Sequence, residues 1–188
     1  MADEQSYWHN FIAGKEAAFR MLYDRYIDQL FSFGSNYCNE RETIKDAIHD
    51  LFIDLYRYRS NLNPQVNITA YLYSSLRRKL ALLLKKTSQQ ETLGEQHADL
   101  DFLLDGNKEA SMIRDEKERE LLELLSKEIQ KLPARQREVL YLRFTLELSY
   151  QETAEIMDIS IATARTLVYR ALRQLRSNME EEKVPLLP

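Results

Sequence analysis

The chain has 188 residues, 30% of them charged and 44% hydrophobic, with four glycines, four prolines and a formal net charge of −4. One cysteine, Cys38, excludes an internal disulfide, and no Cys/His cluster has zinc-ligand spacing. No apolar run approaches the ~20 residues that cross a bilayer, and the acidic start MADEQSYWHN lacks the layout of a signal peptide, so a cytoplasmic protein is expected.

Helical periodicity fills the first part. In GKEAAFRMLYDRYIDQLFSFGSNYC, Phe19, Leu22, Tyr23, Tyr26, Leu30 and Phe33 recur at three- and four-residue spacing. NERETIKDAIHDLFIDLYRYRS reads as a second helix, with Asn39 as N-cap and Glu42 at the capping-box position. RSNLNPQVN breaks the pattern with Pro64 and three asparagines, and ITAYLYSSLRRKLALLLKK is a third helix. TSQQETLGEQHADLDFLLDGN has weak periodicity and reads as linker. KEASMIRDEKERELLELLSKEIQKL is helical again up to Pro133, and three or four short helices follow. The fold expected is all-α, with two small helical domains: 1–88, an acidic linker 89–117, a second domain 118–180, and a frayed tail 181–188.

Charge divides the chain in the same way. Residues 70 to 90 carry five cations and no acid; residues 91 to 123 carry eleven acids against four bases; residues 161 to 176 carry Arg165, Arg170, Arg173 and Arg176 and no acid. Two basic segments separated by an acidic one suit polyanion-binding modules joined by a linker.

The last basic segment lies in SYQETAEIMDISIATARTLVYRALRQLR. Advancing 100° per residue from Ala164 gathers Leu167, Val168, Ala171, Leu172 and Leu175 in one arc. Arg165, Thr166, Tyr169, Arg170, Arg173 and Arg176 fall on the other. Ser160 is placed to cap this helix, and the preceding Tyr150–Met157 helix buries Ala154 and Ile156. The small Ala154 allows the close crossing of a helix-turn-helix, whose second helix can enter a major groove. The turn carries Asp158 rather than glycine, and aspartate tolerates a left-handed backbone better than most residues.

IQKLPARQREVLYLRFTLELSYQETAEIMDISIATARTLVYRALRQLR resembles region 4 of bacterial RNA polymerase sigma factors, through LPARQREVL, LSYQETAEIM and TARTLVYRAL. AAFRMLYDRYIDQLF, IKDAIHDLFIDLY and AYLYSSLRRKLALLLKK resemble region 2 of the same family. The order, with a short acidic linker and no third domain, is similar to the extracytoplasmic-function subgroup of the sigma-70 family.

The resemblance implies a promoter-specificity subunit with no catalytic residues, no metal and no cofactor. Its partners would be core RNA polymerase (the clamp helices of the largest subunit for region 2, the flap for region 4) and promoter DNA, and the subgroup also admits an anti-sigma factor. The residues implied for the −35 element are Thr163, Arg165, Thr166, Tyr169, Arg170 and Arg173. Those implied for the −10 element are Tyr71, Arg77, Arg78, Lys79, Lys85 and Lys86, with Asn61 and Asn63 in the preceding loop. Core polymerase would meet Asp46, His49, Asp50 and Ile53. This face mixes carboxylates with an outward isoleucine while Ile48, Leu51, Phe52 and Leu55 turn to the core, which suits an arginine-bearing partner. Aromatic and cationic groups on the third helix suit single-stranded DNA. The chain departs from the family pattern at His49, Arg78, Leu82, Ala164 and Leu167. A stand-alone helix-turn-helix regulator, or a sigma-like adaptor that binds polymerase without melting DNA, remains open from sequence. An enzyme lacks any nucleophile–base pair, glycine-rich phosphate loop or metal cluster to support it.

Overall fold

The computed structural model describes residues 2–88, 102–103 and 116–181, and the side chains of 5–85, 102–103 and 119–180. These residues are all-helical apart from turns and short connections. The chain divides into two compact units, 1–98 and 99–188. Most of the expected linker, the side chain of Lys86 and all but the first residue of the tail lie outside the described residues.

Unit 1 contains α1 (Ala2–Ile12), α2 (Glu16–Gly34), α3 (Arg41–Arg57), a 3₁₀ turn (Arg59–Asn61) and α4 (Ile68–Ser88). Most of the apolar positions read from the sequence are its core: Leu22, Tyr26, Leu30 and Phe33 from α2, Ile44, Ile48, Leu51, Phe52 and Leu55 from α3, and Leu72, Leu76 and Leu80 from α4 are buried, whereas Phe19 is half-buried and Tyr23 exposed. Their spacing of three and four residues lines one face of each helix, so the three faces close on each other. Where α2 ends, Gly34 admits α3 closely: a Cβ there would stand 2.7 Å from Ile44 Cγ2. The first helix, α1, adds Trp8 and Phe11 to this core, with ring centroids 5.7 Å apart. Gly14, at φ 85°, turns the chain out of α1 in the left-handed region that glycine adopts without strain.

The N-cap of α3 is not Asn39. The helix begins at Arg41 behind Glu40, whose carboxylate accepts from Thr43 Oγ1 at 2.7 Å. Glu42 does not reach back to close a capping box but pairs with Lys45 at 2.7 Å, and that hydrogen bond holds its carboxyl below the usual range. The Glu40 amide is already taken by the Cys38 thiol at 3.4 Å, which fills the place of a cap.

Unit 2 contains α5 (Glu116–Gln130), α6 (Ala134–Leu140), a π-helical turn (Tyr141–Thr145), α7 (Tyr150–Met157) and α8 (Ile161–Glu181). The helix expected over KEASMIRDEKERELLELLSKEIQKL is described as α5 from Glu116, its first eight residues lying outside the described ones, and the last element is a long helix of 21 residues rather than a short one. Leu132, Leu140, Ala171 and Leu175 form a buried cluster against Ile129, continued by Val139, Leu142, Ile156, Met157, Ala164 and Val168. Two acidic residues of this unit, Glu128 and Glu138, are also buried, and the Glu128 carboxylate of α5 accepts from Lys131 Nζ and, at 2.8 Å, from Asn178 Nδ2 of α8.

Candidate nucleic-acid interface

The helix pair read from the sequence forms, with α7 on its expected bounds and α8 starting behind Ser160 as expected. Ser149 caps α7 through a closed capping box: Glu152 N donates to Ser149 Oγ at 3.2 Å, and Ser149 N donates to Glu152 Oε2 at 2.7 Å. Asp158 ends α7 at φ 54°, ψ 53°, in the left-handed conformation that the turn requires. The α8 start is capped by Ser160, whose Oγ accepts from Thr163 N at 3.0 Å. Ala154 and Ala164 are buried, which lets α7 and α8 pack closely.

Around α8, Ala164, Val168, Ala171 and Leu175 are buried and Leu167 is half-buried. Leu172 is not part of the packed arc: it is 46% exposed. Thr163, Arg165, Thr166, Tyr169, Arg170 and Arg173 are all exposed, Tyr169 at 65%. Two of these side chains are turned into their own helix: Thr166 Oγ1 donates to the Ala162 carbonyl at 2.9 Å, and Thr163 Oγ1 lies 2.8 Å from Ser160 Oγ. Arg176 is bound to Glu180 at 2.8 Å, which raises the guanidinium's pKa, so its charge is locally matched.

Sequence reasoning missed one feature of this face. The Tyr150 ring is flanked by two guanidiniums, Arg143 at 4.3 Å and Arg165 at 5.6 Å from its centroid. Arg143 sits on the π-helical turn, and its Nε is buried without a hydrogen-bond partner. A cation over an aromatic face is held by the ring quadrupole. The signal was in the sequence, two arginines and a tyrosine, but only the fold brings residues 143, 150 and 165 together.

In unit 1, Asp46, His49, Asp50 and Ile53 lie exposed together on α3, with Ile53 at 40% exposure, while Ile48, Leu51, Phe52 and Leu55 are buried. Beside this face, α2 and α3 enclose a groove of about 1010 Å³, walled by Phe19, Tyr23, Phe52, Ile53 and Tyr56.

The basic side of α4 is less uniform than its sequence. Arg78 is exposed, and Arg77 and Lys85 are half-buried. Lys79 is tied to Asp54 of α3 at 2.6 Å, so its ammonium serves the packing of α3 on α4. Tyr71 is half-buried with its ring 5.9 Å from that of Trp8. Leu82 projects at 62% exposure. Asn61 and Asn63 are exposed, although Asn63 is held by its backbone carbonyl, which accepts from Trp8 Nε1 at 3.0 Å, and by its Oδ1, which accepts from Gln65 N at 2.9 Å. Asn67 caps α4, its Oδ1 accepting from Ala70 N at 2.9 Å. Helix α1 thus straps the 61–67 loop, with Gln5 Nε2 adding a bond to the Val66 carbonyl at 3.3 Å. This role of α1 was not anticipated, though Trp8 and Phe11 one helical turn apart before a glycine are its sequence signature.

Comparison with known proteins places both units. The family model for sigma-70 region 2 matches residues 22–89, and that for sigma-70 region 4 matches residues 122–175; together they span well over half of the chain. The RNA polymerase sigma factor YlaC of Bacillus subtilis is 27% identical over 175 residues, covering 87% of this chain and 95% of the relative. The ECF RNA polymerase sigma-E factor of Haemophilus influenzae is 25% identical over 175 residues, covering 89% and 90%. Among solved structures, the sigma factor RpoE in complex with the anti-sigma factor NepR from Bartonella quintana shares the fold, with a TM-score of 0.58 at 19% identity over 86% of this chain and 96% of that one.

Proposed function

Since this chain belongs to the sigma-70 family of RNA polymerase sigma factors, in its extracytoplasmic-function subgroup, and is a promoter-specificity subunit rather than an enzyme, we propose how its residues divide that task. Unit 2 reads the −35 element with the exposed arc of α8: Arg165, Arg170 and Arg173 supply guanidiniums for base edges or phosphate, Tyr169 an amphipathic ring, and Thr163 and Thr166 small polar contacts at the helix start. The observation that supports this reading is the capped α7–α8 pair, with Ala164, Val168, Ala171 and Leu175 buried and the cationic arc of α8 wholly exposed.

Unit 1 meets core polymerase through Asp46, His49, Asp50 and Ile53, and DNA at −10 through Arg77, Arg78, Lys85 and Lys86, with Asn61 and Asn63 in the strapped loop. Tyr71 and Lys79 act mainly through Trp8 and Asp54, so they position α4 rather than grip DNA. Polymerase places this work in the cytoplasm. The flap for unit 2 and an anti-sigma partner complete the proposed contacts; the latter is supported by a structural neighbour of the same fold that was solved with one.

Reconstitution with core polymerase tests the division. Arg165→Ala and Arg170→Ala should each lower −35-dependent transcription about 5- to 150-fold, the ~1–3 kcal/mol of one bidentate base contact, and leave competition for core unchanged. Asp46→Ala with Asp50→Ala should do the reverse. Loss of core binding in the α8 variants overturns the assignment.

A further inference from the structure

Unit 2 holds one exposed guanidinium of the α8 arc against a ring from another helix. Tyr150 is the first residue of α7, and the closed capping box of Ser149 and Glu152 fixes the backbone that carries it. Arg165 lies one turn into α8, whose start Ser160 caps. Its guanidinium carbon is 5.6 Å from the Tyr150 centroid, within the ~6 Å over which a ring quadrupole attracts a cation. On the same ring, at 4.3 Å from the centroid, rests Arg143, half-buried with its Nε closed off from solvent. Arg143 therefore helps to hold the half-buried ring in place, while Arg165 stays exposed. Among the described residues, Arg170 and Arg173 have neither a ring nor a carboxylate partner. An exposed arginine loses rotamer freedom when it grips DNA, and a group already held in place loses less. Attraction to a ring leaves the planar guanidinium its N–H donors for a base edge or a phosphate.

We infer that Tyr150 is a positioning residue for DNA recognition: it acts by presetting Arg165, with Arg143 steadying the ring, rather than by touching DNA. The inference rests on the −35 role proposed above for α8. The ring and not the hydroxyl carries the effect, since among the described residues the phenol oxygen has no hydrogen-bond partner.

A double-mutant cycle tests this on core polymerase reconstituted with the full chain. The probe is a promoter duplex recovered from the transcripts that this polymerase starts, and the readout is the half-saturating polymerase concentration. Tyr150→Leu keeps apolar bulk and removes the quadrupole. It should weaken binding about 2- to 5-fold, the worth of one exposed cation–π contact. Tyr150→Phe should bind as the wild type does. In the Arg165→Ala background Tyr150→Leu should add nothing, and in the Arg170→Ala background it should weaken binding as much as before. A Tyr150→Leu effect that persists undiminished after Arg165→Ala overturns the inference, because neither misfolding nor a direct Tyr150 contact depends on Arg165. A wild-type midpoint for Tyr150→Leu in the chain that retains Arg165 overturns it too, as does a loss in Tyr150→Phe. Arg165→Ala alone tests the underlying role: a wild-type midpoint there overturns the −35 contact of Arg165. A weakened midpoint to which Tyr150→Leu is additive overturns the positioning alone.

Discussion

Asp158 sits at φ 54°, ψ 53°, where a side chain costs backbone energy that glycine does not. Its side chain is exposed. Asp158→Gly should therefore stabilise unit 2 by up to about 1 kcal/mol, a rise of a few degrees in its melting transition by calorimetry, with the α7–α8 crossing unchanged. A drop in that transition would show the carboxylate to be needed at the turn. The left-handed turn was legible because one residue sets it. Leu172 was not. It lies about 80° from Ala164 on the wheel, at the margin of the arc, and whether a margin is covered depends on the neighbouring helices. Those helices cover Leu167 in part and leave Leu172 exposed. The same limit hid the Tyr150 stack, because periodicity within one helix says nothing about residues that meet from three elements.

Two elements carry the same capping-box pattern, Asn39 with Glu42 and Ser149 with Glu152, and only the second forms. At α3 the competing partners, the Cys38 thiol and Lys45, lie outside the four-residue pattern, so the motif alone cannot choose. The three helices of unit 1 that carry strong three- and four-residue spacing, and the Tyr150–Met157 helix, were legible; α1 was not, since its role depends on Trp8 reaching a loop 55 residues away. The α5–α8 contact holds a pH-sensitive pair of this non-local kind. The hydrogen bond from Lys131 holds the buried Glu128 carboxyl below its ordinary range, against desolvation that raises it, with Asn178 adding to the lowering. A carboxyl depressed in the folded state contributes stability that is complete above its unfolded value, about pH 4.3, and is lost as pH falls through the folded value. Wild-type unit 2 should thus lose melting temperature between about pH 5 and 3 more steeply than Glu128→Gln, the two curves converging as the carboxyl protonates. Parallel curves across that range would sink the assignment.

For the whole molecule, the net charge of −4 sets the terms on which it can meet DNA. The acids concentrate between Glu91 and Glu123, while the proposed reading arc of α8 keeps Arg165, Arg170 and Arg173 in solvent and leaves Arg176 matched by Glu180. Few guanidiniums are thus available to displace counterions, and the field of the remaining chain opposes them. The free protein should bind a promoter duplex weakly. With about three phosphates neutralised, its association constant should fall with a log–log salt slope near −3, about 40- to 60-fold between 50 and 200 mM salt. Arg170→Ala should reduce that slope by about one if the guanidinium grips phosphate; an unchanged slope with altered base preference would place it on a base edge instead. Neutralising acids between Glu91 and Glu123 should strengthen free binding at low salt and have less effect at high salt, where charges are more strongly screened. Fluorescence anisotropy across a salt series measures all three. A free chain that binds its promoter tightly and with little salt dependence would mean that specificity rests on contacts other than the α8 arginines. The acidic balance would then carry no part in reserving DNA binding for the polymerase-bound state.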